Sequence, residues 1–235
     1  MPAAGFDYVP HDLAAALAAR SLDTVERIDT VLIVRHMAAT RGTMRSALEA
    51  ATGPMPVFED GAWRAEPVAT RTRTFSFPPP LGAVQAVSYG GGDAVQIANH
   101  THAAAIRTWV VMPATLARLA GPAARVGGAL LATRAAHSVL DRVLERAPEG
   151  PRAEARARTA FGVLVEARSP AGETARALVA GTDIYATTAI INARIATRLA
   201  QEGAASAGGF RAPSEVVGDP VVFAAECGLE LQRVL

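Results

Sequence analysis

Residues Gly5–Asp12 read GFDYVPHD and run directly into the alanine-rich segment Leu13–Arg20. Proline fixes its own φ near the helical value and lacks a backbone N–H, so Pro10 ahead of an alanine-rich segment predicts a turn that leads into a helix. The same eight residues hold two carboxylates, a phenol and an imidazole. The stretch therefore predicts the first feature of the fold and is also the first candidate for chemistry.

The composition is that of an ordered globular protein. Of the 235 residues, 50% are hydrophobic and 19% are charged, which is enough apolar material for a sizeable core. The formal net charge is +1, and a chain without a basic surplus lacks the electrostatic footprint of a nucleic-acid-binding protein. We therefore expect no nucleic-acid partner.

Cysteine content and hydropathy indicate the cellular compartment that we expect. Cys227 is the single cysteine, which excludes an intramolecular disulfide and a cysteine metal cluster. It lies in an apolar stretch, and this favours a buried, inert thiol. No apolar run reaches the roughly 18 residues of a membrane span, and the first residues do not resemble a secretory signal. We expect a cytoplasmic protein with no membrane partner.

Hairpins dominate the predicted secondary structure. Asp60-Gly61 between apolar runs predicts a tight β-turn, because both residues accept positive φ. The proline–glycine turn at residues 169–172 predicts a second hairpin. Asp183 is expected to cap the helix that follows it. Asp219-Pro220 is expected to start a last short helix, because proline is favoured in the first turn. The other predicted elements are a helix capped by Thr43, a helical run over residues 114–147, and strands over residues 28–35, 70–77, 84–89 and 105–112.

This order of elements predicts an α+β fold, with a mixed, largely antiparallel sheet and flanking helices. It differs from a dinucleotide-binding unit, which needs parallel strands and a G-x-G-x-x-G run after the first of them. Neither Gly90-Gly91-Gly92 nor Gly208-Gly209 has that spacing, and no such unit precedes Gly5. We expect this chain alone to bind no cofactor, so that NAD(P)H takes part only if a partner supplies it.

Four segments in order resemble saccharopine dehydrogenase-like reductases, a group that includes the trans-acting enoyl reductases. The segments are residues 5–12, 41–46, 180–185 and 209–218. In that family the opening turn follows the nucleotide-binding domain and lies beside the nicotinamide. Tyr8 and His11 stand where small residues are usual, and their bulk would narrow the nicotinamide position.

The resemblance also implies a division of the chain. Residues 1–27 would be the edge of a nucleotide-binding domain, and residues 28–182 would form a substrate-binding and dimerisation domain. Residues 183–235 would provide C-terminal helices and a strand that pack back on the N-terminal segment.

The candidate catalytic residues are Asp7, Tyr8, His11 and Asp12. A histidine held by a carboxylate can donate or accept a proton near neutral pH. The alternative interpretation is structural: Asp7 or Asp12 caps the following helix and His11 is solvated.

A second polar cluster is Asn99-His100-Thr101-His102. If it is a strand, the two histidines project to the same face and could bind a metal. No third ligand is recognisable nearby, so we expect no metal. The cluster resembles the family segment that borders the substrate pocket, which makes His100 and Arg107 candidate substrate-binding residues.

Three further residues are candidate substrate contacts. Thr43 and Ser46 could present hydroxyls and free helix N–H groups to a carbonyl or carboxylate, although simple capping explains them equally well. Tyr185 is the third candidate, through the resemblance. Like Trp63 and Trp109, it is also a candidate core residue. His36 and His137 are interpreted as structural, and Ser138 lacks the G-x-S-x-G context of a hydrolase.

Two functional hypotheses follow. The chain is the substrate-binding part of a reductase, as a homodimer or with a nucleotide-binding partner chain. Alternatively, it keeps the fold without redox chemistry. It would then bind a hydrophobic acyl or polyketide-like molecule, or cyclise or isomerise it by acid–base catalysis. A third possibility is that Met1 is an internal position of a longer reading frame.

Overall fold

A computed structural model describes residues 4–37, 39–52, 54–112, 142, 145, 149–202 and 209–234. The helices and strands of these ranges are labelled here in chain order. They are α1 (Val9–Ala19), β1 (Arg27–Arg35), α2 (Arg41–Thr52), β2 (Pro54–Glu59), β3 (Ala62–Pro67), β4 (Thr72–Phe77), β5 (Gly82–Tyr89), α3 (Asp93–Thr101), β6 (Ala105–Val111), α4 (Ala153–Ala157), β7 (Ala160–Arg168), β8 (Thr174–Thr182), α5 (Ile184–Glu202), α6 (Pro213–Val216), α7 (Pro220–Glu226) and β9 (Glu230–Val234).

The described strands form a nine-stranded mixed sheet. Seven of them follow the order β3-β2-β6-β1-β7-β8-β9, and β5 pairs with β6 and carries β4. Among the described pairs, β1–β6 is parallel and the others are antiparallel. The predicted α+β fold, with its largely antiparallel sheet and flanking helices, is confirmed.

Local sequence explains the hairpins and the caps. Asp60 and Gly61 have φ of 53° and 72° in the two-residue turn between β2 and β3, as a tight hairpin requires. Gly172 has φ of 87° in the turn between β7 and β8. Asp183 accepts the backbone N–H of Ala186 at the start of α5. Helix α7 starts at Pro220, and the side chain of Asp219 accepts the backbone N–H groups of Val221 and Val222. These four predictions are confirmed.

Other predictions need correction. Strand β4 begins at Thr72 instead of residue 70, and α1 begins at Val9 with Pro10 in its first turn. Trp63, a candidate core residue, is 45% exposed on the outermost strand β3, whereas Trp109 is buried. The helical prediction for residues 114–147, with His137 and Ser138, lies outside the described residues except for Arg142 and Glu145, which are helical.

Alternation along β1 divides the core between the two faces of the sheet. Ile28 lies on one face under α1, and Val31 lies on the other face with Phe75 of the β4–β5 hairpin. Helix α1 is buried from Val9 to Ala18 and packs on β7, β8, α3, α6 and α7. No described helix is long and apolar enough to cross a membrane.

The face under the β4–β5 hairpin also holds a group of ion pairs around Asp29. This carboxylate is nearly buried and accepts hydrogen bonds from Arg27, Arg73 and Trp109. Burial raises the pKa of Asp29, but the two arginines outweigh it, so that its pKa lies below the usual value. The charge of Asp29 is therefore paired with those of Arg27 and Arg73 within the protein.

Shortening Leu13 tests the position of α1 in the core. Leu13 is fully buried, so Leu13→Ala should lower the free energy of unfolding by about 3 kcal/mol through lost transfer energy and a residual cavity. Urea unfolding measures the change. Val222→Ala is the control, because Val222 is 57% exposed and should change stability by under about 0.5 kcal/mol. Equal effects of the two substitutions would contradict the buried position of α1.

Asp29→Asn tests the ion-pair group. At neutral pH it should cost about 3 kcal/mol, because two arginines lose their buried partner. The lowered pKa means that the contribution of Asp29 is complete above the pKa of an unfolded aspartate, about 3.9. It is lost as the pH falls through the lower folded value. The difference from the parent protein should therefore shrink in acid. Asp60→Asn, at an exposed ion pair with Arg64, should change little at either pH.

Candidate functional site

The turn at residues 5–8 leads into α1 and contacts two neighbouring elements. The N–H groups of Tyr8 and Val9 both donate to the carbonyl of Gly5, at 3.1 and 3.0 Å. The N–H of Phe6 donates to Thr188 Oγ1, and the Phe6 ring packs edge-on against Phe161 at 4.5 Å between centroids. The turn is thereby tied to α5 and β7 before the helix begins.

His11 is the buried centre of the first polar cluster. Its Nδ1 lies 2.6 Å from Thr30 Oγ1 and 3.2 Å from Asp93 Oδ2. Thr108 donates its hydroxyl to Asp93, at 2.9 and 3.1 Å from the two carboxylate oxygens. An ionised carboxylate only accepts, so the proton of the imidazole is favoured on Nδ1. His11 is 2% exposed, so the prediction of a solvated histidine is wrong.

Asp12 points away from this cluster into a second one. Its Oδ1 lies 2.6 Å from His100 Nε2, and its Oδ2 accepts the N–H of Ser214 at 2.6 Å. Asp12 is fully buried, and the start of α1 has no side-chain cap. The prediction that Asp12 caps the helix is therefore wrong.

His100 and His102 do not lie on a strand. His100 is in the last turn of α3, and His102 follows it with φ of 53° in the left-handed region. The predicted same-face arrangement is wrong. In the described ranges, histidine, cysteine and carboxylate side chains form no group of three that could hold a metal ion.

Above the His11 cluster, the surface carries two tyrosines and a carboxylate. Burial raises the pKa of Tyr8, and the carboxylates of Asp7 and Asp93 raise it further. Burial and the same two carboxylates also raise the pKa of Tyr89. Asp7 is exposed, yet neighbouring protein atoms limit its hydration and raise its pKa. His11 lowers that pKa, and Asp93 raises it again. We call Asp7, Tyr8, His11, Tyr89 and Asp93 the turn cluster.

The glycines between β5 and α3 pack closely against this cluster. A Cβ on Gly91 would lie 1.9 Å from Asp93 Oδ1, and one on Gly92 would lie 2.6 Å from Cε1 of Tyr8. The glycines therefore leave room for the Tyr8 ring and the Asp93 carboxylate. Sequence reasoning did not identify Asp93 or Tyr89, although their position on either side of three glycines was a usable signal.

The remaining predicted substrate contacts lie elsewhere. Tyr185 Oη accepts the N–H of Thr40 at 2.9 Å and lies 3.3 Å from Thr43 Oγ1. Thr40 Oγ1 accepts the N–H of Thr43, so Thr40 caps α2 and the prediction of Thr43 as N-cap is wrong. Ser46 is exposed on α2.

Arg107 is buried in β6, where it forms ion pairs with two glutamates. Its Nη2 lies 2.7 Å from Glu59 Oε2, and its Nη1 lies 2.9 Å from Glu66 Oε2. Its charge is thus balanced within the protein. The turn cluster brings together Asp7, Tyr8 and His11 of the predicted site residues. Asp12 and His100 form a separate pair.

The glycine turn between β5 and α3 carries a negative charge where phosphate-binding turns are open. β5, the three glycines and α3 form a strand–glycine–helix connection, the local shape that holds pyrophosphate in nucleotide-binding folds. Here a nearly buried carboxylate, Asp93, stands in the first turn of the helix, and the Tyr8 ring packs on Gly92. A fixed negative charge at that position repels phosphate.

Comparison with known proteins gives a structural match. No family model matches the chain, and no curated protein matches its sequence. Apo saccharopine dehydrogenase (L-Glu forming) from Saccharomyces cerevisiae aligns with a TM-score of 0.52 at 12% identity, over 98% of this chain and 72% of that one. The fold is saccharopine dehydrogenase-like. A likeness at this level of identity shows the fold alone, and within this fold the turn cluster is the candidate site.

Tyrosine ionisation tests the electrostatics of the turn cluster. Because Asp7 raises the pKa of Tyr8, Asp7→Asn should shift the ionisation of Tyr8 to lower pH. Spectrophotometric titration of the phenolates measures it, and the difference from Tyr8→Phe assigns the signal among the three tyrosines of the chain. Asp60→Asn removes an exposed carboxylate on the β2–β3 turn and should leave the curve unchanged. A shift of the same size in both variants would contradict local coupling.

Proposed function

We propose that this chain is the substrate-binding part of a saccharopine dehydrogenase-like oxidoreductase, with proton transfer at the turn cluster as its own chemistry. The observation that carries the proposal is the buried His11–Asp93 pair beneath two tyrosines and an accessible carboxylate. Titratable groups with shifted pKa values that converge in this way are typical of functional sites.

The roles follow from exposure and charge. Tyr8 is partly exposed, and its raised pKa keeps the phenol protonated at neutral pH. It can therefore donate a hydrogen bond to a substrate carbonyl oxygen. Asp7 is exposed, and its raised pKa makes it a stronger base than an ordinary aspartate. It can accept a proton from the carbon next to that carbonyl. His11 and Asp93 are buried beneath these two residues. Besides burial, Asp93 raises the pKa of both Asp7 and Tyr8, and His11 lowers that of Asp7.

The glycine turn supports the proposal that this chain alone holds no dinucleotide. Any nicotinamide nucleotide would then be held by another polypeptide, such as a nucleotide-binding partner chain. The carboxylate of Asp93 in the first turn of α3 also favours a second candidate function, a cofactor-independent isomerase or cyclase. It would act on a hydrophobic acyl or polyketide-like substrate with the same proton-transferring residues.

Cofactor titration tests the first part. NADPH and NADH are titrated into the purified chain and binding is followed by calorimetry. We expect no binding tighter than about 100 μM, which corresponds to about 5 kcal/mol. Tighter binding by the isolated chain would overturn the assignment of the dinucleotide to a partner.

Hydrogen exchange tests the proton transfer without knowledge of the natural substrate. A panel of small ketones and acyl thioesters is incubated with the chain in deuterium oxide, and deuterium at the α carbon is followed by NMR without nucleotide. Asp7→Asn should lower the exchange rate by about a hundredfold, the lower end of general-base contributions. Tyr8→Phe should lower it as well. Asp60→Asn is the matched control. Exchange that is independent of Asp7 and Tyr8 would remove the turn cluster from the mechanism.

A further inference from the structure

A cleft of about 620 Å³ lies at the opposite end of α1 from the turn cluster. It opens between the ends of α1 and α3 and the segment that carries α6. Arg20, His100 and Ser214 are among its lining residues. Its volume is in the usual range for small-molecule sites. We propose that this cleft is a second binding site, which holds the carboxylate of a small organic acid.

His100 is a fixed polar group in the wall of this cleft. Its Nε2 is held at 2.6 Å from the carboxylate of Asp12, and part of its ring lines the cleft. Asp12 is fully buried and accepts a second hydrogen bond from the N–H of Ser214. The pair fixes the orientation of the ring. The other ring nitrogen, Nδ1, can then form a hydrogen bond with a ligand in the cleft.

Ser214 supplies the second donor. Its side-chain oxygen is buried and has no hydrogen-bond partner in the described part of the chain, although the residue lines the cleft. Buried hydroxyl groups nearly always have a partner. A ligand oxygen in the cleft would satisfy this group.

Some of the acceptors that line the cleft are already engaged within the protein. Glu215 already accepts hydrogen bonds from Asn99 Nδ2 and from the N–H of Ala212, both at 2.6 Å. The last carbonyls of α1 accept the N–H groups of residues 20–22. Asp23 is exposed, and water screens its charge as it screens that of Arg20. The described residues of the lining thus hold one arginine and two carboxylates, and it is the hydrogen-bond donors, not the net charge, that favour a carboxylate.

The free donors line the same cleft. Arg20 is exposed and forms no ion pair within the described ranges. Its guanidinium, the Ser214 hydroxyl and the His100 ring can together bind two carboxylate oxygens. Ala16, Ala19 and Val25 line the cleft as well, and they offer an apolar surface to a short aliphatic chain. The ligand class is therefore a short aliphatic carboxylate.

Calorimetry with butyrate, and with butyramide as its uncharged analogue, tests the proposal. Butyrate should bind, and butyramide should bind at least about tenfold more weakly, because it lacks the charge that Arg20 pairs with. Arg20→Gln should weaken butyrate binding by about tenfold, and Ser214→Ala should weaken it too. Arg64→Gln is the matched control, since Arg64 is an exposed arginine paired with Asp60 on the β2–β3 hairpin.

Arg20 is on the surface, so its replacement tests binding even if changes at His100 prevent folding. Absence of butyrate binding, equal binding of butyrate and butyramide, or an unchanged affinity in Arg20→Gln would each overturn the proposal. The test does not involve the turn cluster, and its outcome is independent of the proton-transfer function.

Discussion

Helices α1 and α3 are joined by two reciprocal histidine–aspartate pairs. His11 of α1 meets Asp93 of α3, and Asp12 of α1 meets His100 of α3. Buried polar pairs of this kind stabilise a fold only when their remaining hydrogen-bonding capacity is also satisfied. Both carboxylates have further partners, because Thr108 donates to Asp93 and the N–H of Ser214 donates to Asp12. Loss of one member would leave its partner buried without a counter-group.

These two pairs connect several elements of the fold and so set their arrangement. Asp12 connects α1 to α3 and to the segment with α6, while His11 connects α1 through Thr30 to β1. The apolar side of the same helix packs on β7 and β8. The turn cluster lies at the start of α1 and the cleft lies near its end. One helix pair therefore fixes the geometry of both candidate sites.

The glycine turn shows how a familiar local shape can serve a different purpose. A strand, three glycines and a helix would suit a phosphate if the helix N-terminus were open. In this chain Tyr8 and Asp93 occupy the space that the missing Cβ atoms leave. At the start of α2, protein groups likewise accept the free N–H groups, since Tyr185 accepts the N–H of Thr40 and Thr40 accepts that of Thr43. The chain uses its glycines and caps for internal packing.

Features that depend on neighbouring residues could be predicted from the sequence. The Asp60-Gly61 and Gly172 turns, the Asp183 cap, the helix start at Asp219-Pro220 and the α+β class follow from local backbone preferences. The partners of the charged groups, in contrast, depend on how distant elements pack against one another. Local sequence suggested a strand at His100, but Ala94, Ile97 and Thr101 are spaced three and four apart and are buried in a helix. No local signal shows that His100 and Ser214 reach Asp12, so the sequence left its role open between proton transfer and helix capping. Long-range pairing depends on how elements pack, and that information is spread over the whole chain.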